Sequence, residues 1–439
     1  MSGPAGAAAG GRVVVVGGGA IGLSVAEAIA SRGGEVIVLE QGRCGGGASA
    51  GNAGWITPSL AIPVPGPGVI GESLRWLVNP SGPLWIRPSL SPAMLEWIAR
   101  FLVSCSRSAY QRGLVALQRV SELAGPSFDR LAQRGVEFEL HDEPLLYPAF
   151  DHAELDHLLR VAEELRAAGI ERTPQRISAQ EAHALEPALS TSMVGAVIAE
   201  GDRRVRPELF TAGLARALAA HGVDVRQDVA VTGLTRERGR WVLHAGGEPL
   251  QASAVVLAAG VATARLLEPL GIRLPVAAAK GYSRTYDVDP SGPRRALYLE
   301  GPKVAVSAFD GGVRVSGTLE LGARGLALSQ RRLAAITAGA QQAMPGWRMP
   351  SQPSDWAGMR SLSPDGLPFI GAVAGHDGLH VATAHATLGI TLAPATGELL
   401  SKLLLDGERD PLLAAFDPAR FARSGRSTAT NDAITGGDQ

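Results

Sequence analysis

The chain has 439 residues, of which 46% are hydrophobic and 19% charged, so it can build a large core and is not disordered as a whole. This length suggests two or three domains. Lys plus Arg number 41 and Asp plus Glu 42, a balance that argues against a nucleic-acid-binding surface over the whole chain. Two cysteines, Cys44 and Cys105, cannot form a disulfide scaffold or a zinc site by themselves, so we predict no metal and a reducing, cytoplasmic setting.

The two ends of the chain differ in composition from the rest. Residues 1–11 are small and lack the charged start and long apolar core of a signal peptide, so we expect a disordered leader. Residues 423–439 are polar and glycine-rich, and we expect a disordered tail. The chain contains no run of 18 uncharged apolar residues, so the sequence predicts no membrane span.

The first ordered segment predicts a strand, a helix and a second strand, at residues 12–16, 23–31 and 35–40. Between the first strand and the helix lies Gly17-x-Gly19-x-x-Gly22. Its glycines permit a tight turn, close approach of a pyrophosphate and close packing of the helix on the strand. Glu40 ends the second strand, where a carboxylate can accept hydrogen bonds from a ribose diol. The pattern predicts a dinucleotide site; the alternative is a glycine turn between ordinary α/β elements.

The glycine pattern alone does not separate NAD from FAD. An isoalloxazine ring extends further than a nicotinamide and needs more backbone contacts. Two segments are candidates: the small-residue loop 48–54 and residues 385–391, which open a late helix. Free N–H groups at a helix start can stabilise negative charge on a reduced ring. Each segment also has a plainer interpretation, as a loop or as an ordinary capped helix.

The remaining chain alternates between the two element types. Residues 110–186 predict helices, because their leucines repeat at helical spacing. A further helix is predicted at 205–221 and another at 387–405. The predicted strands lie at 223–225, 229–234, 241–244, 252–257, 283–288, 296–299, 304–307, 313–317 and 379–382.

Four segments carry a resemblance to a known family. They are Ser49-Ala-Gly-Asn-Ala-Gly54, Lys280-Gly-Tyr-Ser283, Met359-Arg-Ser-Leu-Ser-Pro-Asp-Gly-Leu-Pro-Phe-Ile-Gly371 and Ala384-His-Ala-Thr-Leu-Gly-Ile-Thr-Leu-Ala-Pro-Ala-Thr-Gly397. Together they resemble the bacterial FAD-dependent D-amino-acid dehydrogenases, within the wider family of glycine oxidase, sarcosine oxidase and D-amino-acid oxidase.

The resemblance implies a fold class of α/β plus α+β. A Rossmann-like FAD-binding domain would comprise residues 12–60, 190–275 and 345–422. A second, antiparallel-sheet substrate domain would comprise residues 61–189 and 276–344.

The resemblance also implies an activity, which is oxidative deamination of a D-amino acid. Hydride would pass from the substrate Cα to FAD, and the imine would hydrolyse to a 2-oxo acid. Electrons would go on to a quinone or another respiratory-chain acceptor. Two alternatives stay open: an oxidase of glycine, sarcosine or cyclic amines that uses oxygen directly, and a non-catalytic flavoprotein subunit of a larger complex.

Arg360 matches the family arginine that binds the substrate carboxylate. The planar guanidinium group suits this role because it can donate two parallel hydrogen bonds to a carboxylate. The alternative is an arginine paired with Asp355 or Asp365 on a loop.

Three other residues have two interpretations each. Tyr282 lines the pocket or is a core aromatic, and Lys280 reaches the flavin or is a surface charge. His385 approaches the flavin edge or is a satisfied structural group. We count Arg360, Tyr282 and His385 as the predicted catalytic set.

The predicted FAD contacts combine the glycine turn, the ribose carboxylate, the two backbone segments and positions matched to the family. They are Gly17, Gly19, Ala20, Ile21, Gly22, Glu40, Gln41, Ala48, Ser49, Asn52, Ala53, Gly54, Val231, Gly260, Gly371, Thr387, Leu388, Gly389, Ile390 and Thr391.

Two positions depart from the family pattern. Thr387 stands where glycine oxidase has a second substrate arginine, which favours the dehydrogenase branch. Pro302 stands where the dehydrogenases often have a tyrosine before the strand 304–307. This substitution leaves the side-chain preference open and points to a secondary amine such as D-proline or a hydroxyproline.

A tryptophan-rich stretch also resembles the dehydrogenase branch. Trp76, Trp85 and Trp97 with Arg87 and Arg100 predict peripheral contact with the inner face of the membrane, where a quinone would be reached. The alternative is that these aromatics are packed core.

Overall fold

The structure is a computed structural model, and it describes residues 11–69, 71, 82, 84–87, 91–170 and 173–422. The predicted tail, the predicted leader before residue 11 and Trp76 lie outside the described residues.

A six-stranded sheet carries the glycine turn. In spatial order its strands are β10 (Asp224–Arg226), β2 (Val36–Leu39), β1 (Val13–Val16), β14 (Ala254–Leu257), β21 (Leu379–Thr383) and β20 (Phe369–Ala372). All neighbours are parallel except β20, which runs antiparallel to β21. The carboxyl ends of the parallel strands therefore meet at one edge, where ligands of open α/β sheets bind.

Both faces of this sheet are covered, which explains why its strands read as continuous apolar runs. One face packs against α1 (Ala20–Ala30) and α10 (Gly389–Asp406). The other packs against a three-stranded antiparallel sheet of β11 (Gly233–Glu237), β12 (Arg240–His244) and β13 (Leu250–Ala252).

Helices α1 and α10 cross at very short distance. A Cβ added to Gly397 would lie 2.4 Å from the Ser24 carbonyl oxygen. A side chain at this position would push the helices apart, and α10 would no longer present its start beside the glycine turn.

A nine-stranded sheet forms the second half of the fold. Its main path is β19 (Ser354–Leu362), β15 (Ala277–Tyr286), β18 (Gly312–Leu321), β17 (Val304–Phe309), β16 (Leu297–Leu299), β6 (Leu145–Ala149), β8 (Gly195–Ala199) and β7 (Gln175–Ile177), and β4 (Leu84–Ile86) pairs with β18. Helix α9 (Gln330–Ala343) covers one face, where Tyr282 and Trp347 are buried. The opposite face carries Arg360 and bounds a cavity.

The remaining elements connect or flank the two sheets. A small sheet contains β3 (Trp55–Ile56), β9 (Arg203–Val205) and β5 (Leu140–His141). The other helices are α2 (Pro92–Ser104), α3 (Arg107–Ser121), α4 (Ala124–Gln133), α5 (His152–Ala167), α6 (Ala179–Leu185), α7 (Pro207–Ala220) and α8 (Ala262–Leu267), with 3₁₀ turns at Pro58–Leu60, Glu268–Leu270, Pro411–Phe416 and Pro418–Phe421.

Several predicted elements need correction. The helical prediction for 110–186 is wrong at β5, β6 and β7, because β6 is buried on both faces and shows no alternation. The helix predicted from residue 205 begins at Pro207, since Val205 belongs to β9. The strand predicted at 229–234 begins only at Gly233.

The predicted domain ranges can be compared with the two large sheets. Strands β8 and β19 lie inside the ranges 190–275 and 345–422 predicted for FAD binding, yet they pair within the nine-stranded sheet. The predicted boundaries at 190 and 345 therefore do not coincide with the division between the sheets.

Candidate active site

The glycine turn has the backbone geometry that the motif predicts. Gly17 has a φ of 113°, and its N–H donates to the Leu39 carbonyl oxygen at 2.8 Å. A Cβ on Gly22 would lie 1.9 Å from the Gly17 carbonyl oxygen. Helix α1 can therefore lie directly against the end of β1 only while residue 22 is glycine.

Glu40 is held in place beside this turn. Its Oε2 accepts from the Gly18 N–H at 2.6 Å, and its Oε1 accepts from the Gly42 N–H at 2.9 Å. Each carboxylate oxygen has further lone pairs, so the group can still accept from a ligand hydroxyl. The Val229 N–H donates to the Glu40 carbonyl oxygen at 2.8 Å, which brings the segment leading to Val231 to the same edge.

Two helices begin at this edge with unused donors. The Ala20 N–H donates to Ser49 Oγ at 3.0 Å, whereas the N–H groups of Ile21 and Gly22 have no acceptor among the described residues. At the start of α10, the N–H groups of residues 389–391 likewise lack an acceptor within the described part of the chain. Free donors at a helix start favour anionic or polar ligand groups. The predicted residues here fit a cofactor that carries a pyrophosphate and a polar ring edge.

The small-residue loop 48–54 is fixed by the second sheet. Buried Arg314 of β18 donates to the carbonyl oxygens of Ala50 at 3.0 Å and Asn52 at 2.8 Å. The Ser307 hydroxyl donates to the Ala53 carbonyl oxygen at 2.7 Å. The loop is therefore a rigid connection between the two sheets, and Asn52 and Ala53 line the cavity.

The end of the loop is tied to α10. Gly54 has a φ of 77°, and a Cβ there would lie 2.0 Å from the Val205 carbonyl oxygen. The Thr391 hydroxyl donates to the Trp55 carbonyl oxygen at 2.9 Å. The two segments predicted from sequence to contact the flavin are thus adjacent in space.

A cavity of about 730 Å³ lies between the loop, α10 and the large sheet. Five predicted residues line it: Asn52, Ala53, Arg360, Thr387 and Leu388.

Arg360 has no hydrogen-bond acceptor in the part of the chain that the structure describes. No hydrogen bond or ion pair joins its guanidinium to any described residue, and burial lowers its pKa. The two acids considered as partners are occupied elsewhere. Asp355 accepts from Arg284 at 2.7 and 3.0 Å, and Asp365 accepts from Arg420 at 2.7 and 2.9 Å. The cavity therefore contains a guanidinium group that can donate two parallel hydrogen bonds to an anionic ligand.

Tyr282 does not reach the cavity. It is fully buried under α9, its hydroxyl donates to Glu320 Oε2 at 2.8 Å, and burial raises its pKa. Lys280 is buried beside it, with Nζ donating to the Ala327 carbonyl oxygen at 3.1 Å and lying 3.6 Å from Glu320. Because the sheet separates this cluster from Arg360, Tyr282 matches the core alternative, and Lys280 is neither at the cavity nor a surface charge.

His385 is also a packed residue. Its Nε2 lies 3.1 Å from Thr396 Oγ1, and burial lowers its pKa to about 3, so the ring is neutral at physiological pH. The flanking Ala384 and Ala386 have φ of 60° and 52°, an unusual conformation for non-glycine residues. The structure assigns His385 to this turn, which leads into α10, rather than to the cavity wall.

The remaining predicted contacts are dispersed. Gly260 accepts a hydrogen bond from the Thr383 hydroxyl at 2.9 Å, so it lies at the carboxyl edge of the six-stranded sheet. Gly371 pairs with Val381 within the sheet and does not line the cavity. Gln41 and Ala48 are exposed.

The cavity wall also contains polar residues that sequence reasoning did not select. They include Ser59, Tyr147, Tyr298, Glu300 and Lys303. Only Lys303 had a signal in the sequence, because it follows the position of Pro302. Tyr147 and Tyr298 lie on β6 and β16, which long-range strand pairing brings to the wall. Ser59 lies in the 3₁₀ turn Pro58–Leu60.

A glycine turn on a mostly parallel sheet, two helix starts with free donors and an arginine-containing cavity under a mixed sheet are typical of a nucleotide-binding oxidoreductase. The family described as "FAD dependent oxidoreductase" (DAO) matches residues 12–403, and the chain belongs to it. The predicted family, fold class, enzyme activity and FAD cofactor are thereby confirmed.

Relatives of known name agree with this assignment. A D-amino acid dehydrogenase of Xanthobacter autotrophicus is 34% identical over 94% of this chain and 100% of its own. A glycine oxidase from Geobacillus kaustophilus is 26% identical, with a TM-score of 0.71 over 93% of this chain and 99% of that one. An L-proline dehydrogenase from P. horikoshii shares the fold, with a TM-score of 0.70 at 18% identity over 94% and 98%.

None of the described helices has the length and hydropathy that a bilayer span requires.

Proposed function

We propose that this flavoenzyme oxidatively deaminates a D-amino acid to the imine and hence to a 2-oxo acid and ammonia. The observation that carries the proposal is Arg360 in the cavity wall, whose guanidinium has no partner among the described residues. The 34% identity to a D-amino acid dehydrogenase along nearly the whole chain supports the choice of substrate class.

The protein residues contribute binding and alignment. Arg360 would hold the substrate carboxylate through two parallel hydrogen bonds, which fixes the orientation of the neighbouring Cα. The donors of Ile21 and Gly22 would hold the FAD pyrophosphate, Glu40 the ribose, and residues 389–391 the ring edge. FAD, when bound, supplies the acceptor for the hydride that leaves Cα.

An anaerobic reduction screen tests the proposal. The FAD-loaded protein is mixed with D-amino acids, L-amino acids and prolines, and bleaching of the flavin absorbance is followed. We expect reduction by D-amino acids and little by their L-enantiomers. An unreduced flavin with every amino acid would overturn the proposal and favour a non-catalytic flavoprotein subunit.

Arg360→Gln provides the matching test of the carboxylate site. We expect full FAD content and a rise in the apparent Kd for substrate. Arg284→Gln is the matched control, because Arg284 lies on the same sheet but pairs with Asp355 on the face away from the cavity. Equal substrate affinity in the Arg360 variant and wild type would remove the assignment.

The oxygen-using oxidase is the second candidate. The 26% identity and shared fold with a glycine oxidase favour it. Reoxidation of the reduced protein by oxygen and by an artificial quinone separates the two, and we propose that the quinone reacts faster.

A preference for D-proline or a hydroxyproline remains part of the proposal. The support from Pro302 is indirect, because Pro302 is exposed, packs against Gly339 and does not line the cavity. Its neighbour Lys303 does line it. The screen above contains both proline enantiomers, so it also tests this preference.

Peripheral membrane contact would bring the enzyme to a quinone. Trp97 is buried, with Nε1 donating to the Leu362 carbonyl oxygen at 3.3 Å, so it does not face a membrane. The outer side of α2 instead exposes Leu95 by 50%, Leu102 by 46% and Val103 by 74%. We assign the proposed contact to this apolar surface.

A further inference from the structure

A hydrogen-bonded cluster of Ser59, Tyr147 and Asp202 forms part of the cavity wall. Ser59 and Tyr147 line the cavity, and Asp202 lies behind them with 1% of its surface exposed. The Asp202 carboxylate accepts from the Ser59 N–H at 3.2 Å and from the Ser59 hydroxyl. The Tyr147 hydroxyl lies 2.9 Å from Ser59 Oγ and 3.4 Å from Asp202 Oδ2.

Asp202 has no cationic partner among the described residues. Its chain neighbours turn away, since Arg203 pairs with Asp129 and Asp142 and Arg204 pairs with Glu143. An isolated buried carboxylate is costly, so its proton affinity rises. Burial raises the pKa of Asp202 to about 7, and the hydrogen bonds from Ser59 and Tyr147 limit the rise.

Tyr298 and Glu300 are two further titratable groups near the cluster. Tyr298 packs edge-on against the Tyr147 ring, and both phenols stay protonated because burial raises their pKa. Glu300, beyond Tyr298, pairs with Lys303 and lies 3.4 Å from His157 Nε2. Lys303 therefore compensates the charge of Glu300, whereas the buried Asp202 has no such cation among the described residues.

The geometry points to Asp202, acting through the Ser59 hydroxyl, as the acceptor of the proton that the substrate ammonium group loses before oxidation. This inference rests on the proposed function, in which Arg360 holds the carboxylate and the neutral amine is oxidised. An N–H bond of the ammonium group breaks, and its electron pair stays on nitrogen. The proton passes to Ser59 Oγ while the hydroxyl proton of Ser59 passes to Asp202 Oδ2, so the carboxylate becomes a carboxylic acid.

The hydrogen-bond directions agree with this step. While Asp202 is ionised it accepts from Ser59, and a lone pair of Ser59 Oγ is then free for a donor in the cavity. Tyr147 stabilises the arrangement by holding both partners. Asp202 is a positioning and proton-storing residue, because it contacts the substrate only through Ser59.

The pH dependence of kcat/KM, measured with FAD-loaded protein, tests the inference. In wild type we expect kcat/KM to rise as Asp202 ionises near pH 7. In Asp202→Asn and in Ser59→Ala the rise of kcat/KM with pH, the acidic limb of the profile, should move to more alkaline pH, toward the pKa of the free amine. Activity should fall roughly 100-fold at pH 7, the scale of a lost acid–base group, and much less at pH 10.

Glu320→Gln is the matched control, because Glu320 is a partly buried carboxylate that also accepts from a tyrosine, but on the other side of the sheet. Its profile should match wild type. Binding of benzoate, an anion without an amine, reports an intact Arg360 site and should be unchanged in the Ser59 and Asp202 variants.

The possible results distinguish failure of the proton-acceptor role of Asp202 from failure of the proposed function. If amino acids reduce the wild-type flavin but both variants keep the wild-type limb, or lose activity equally at every pH, the proton acceptor is refuted and the proposed function stands. If no amino acid reduces the wild-type flavin, the proposed function itself fails. Should Asp202→Asn not fold, Ser59→Ala decides alone, because it keeps the carboxylate and removes the relay.

Discussion

Gly281 of β15 lies directly beside the guanidinium of Arg360. A Cβ built on Gly281 would be 3.0 Å from Arg360 Nε and 3.1 Å from Cζ, closer than side chains normally approach. The arginine can therefore lie flat against the sheet only because its neighbour has no side chain. The space for the cation is set by a residue that contributes no chemistry of its own.

Gly281→Ala should displace the Arg360 side chain and weaken substrate binding. We expect a several-fold rise in KM for a carboxylate substrate with unchanged FAD content, measured by steady-state kinetics. Gly247→Ala is the control, since a Cβ at Gly247 meets no atom within 4 Å. Identical KM values in the two variants would show that the guanidinium tolerates the methyl group.

Gly19→Val should expel FAD from the glycine turn. A Cβ at Gly19 already lies 3.4 Å from Ser49 Oγ, and the larger side chain would occupy the space of the pyrophosphate. Flavin absorbance relative to protein measures the effect, with Gly346→Val as a control in open space. Full flavin content in Gly19→Val would contradict the assignment of this turn.

Arg314→Leu should loosen the loop 48–54. The change leaves the carbonyl oxygens of Ala50 and Asn52 without their donors, and we expect a loss of roughly 1–3 kcal/mol in unfolding free energy. FAD affinity should fall as well, because the loop lies between the cofactor residues and the cavity. Urea unfolding and flavin titration measure the two effects, and a stable variant with unaltered flavin binding would refute this role.

His385 should make stability depend on pH. Its pKa in the fold is about 3, below the ordinary value of 6.5, so between these values the unfolded chain binds a proton that the folded chain does not. The free energy of unfolding therefore falls as pH falls through this window, by at most about 1.4 kcal/mol per pH unit. His380, with a pKa of about 4, acts in the same direction, and Asp202 acts in the opposite one.

His385→Gln isolates this contribution. The variant should show a smaller loss of stability between pH 6 and about pH 4 than wild type, measured by urea unfolding at each pH. Parallel curves for the two proteins would mean that His385 is already protonated in the folded state.

Leu102→Glu should reduce binding to lipid vesicles. Burying an exposed leucine in a membrane contributes about 2 kcal/mol, so a charge at this point of α2 should lower vesicle binding by tenfold or more. Sedimentation with phosphatidylglycerol–phosphatidylethanolamine vesicles measures it. Leu209→Glu is the control, because Leu209 is 40% exposed on α7. Equal binding of both variants would exclude α2 as the contact.

The sequence predicts the backbone geometry of the glycine turn better than it predicts which side chains face the cavity, for a physical reason. The glycine turn and residues 389–391 are defined by backbone geometry within short segments, and Glu40 lies at a fixed spacing from the turn, so these features are visible in the chain. The sequence places Tyr282 in the catalytic set although it is a core residue, because the face that a strand residue occupies depends on the pairing of β15 with β18. That pairing contains a register shift between Gly281 and Tyr282.

The ion-pair partners of Asp355 and Asp365 could not be predicted from the sequence for the same reason. Asp355 and Asp365 lie close to Arg360 in the chain, yet their partners Arg284 and Arg420 are distant in sequence. Asp202 gave no local signal at all, since its significance comes from the absence of a cation in a folded environment.

The parallel pairing of β1, β14 and β21 also determines when the protein can take up its cofactor during synthesis. Strand β21 begins at Leu379, and α10 begins at Gly389. The carboxyl edge of the sheet and the donors at the start of α10 can therefore form only late in translation. Until then the valine-rich first strands lack their partners in the sheet, so we expect the cofactor to bind late in folding.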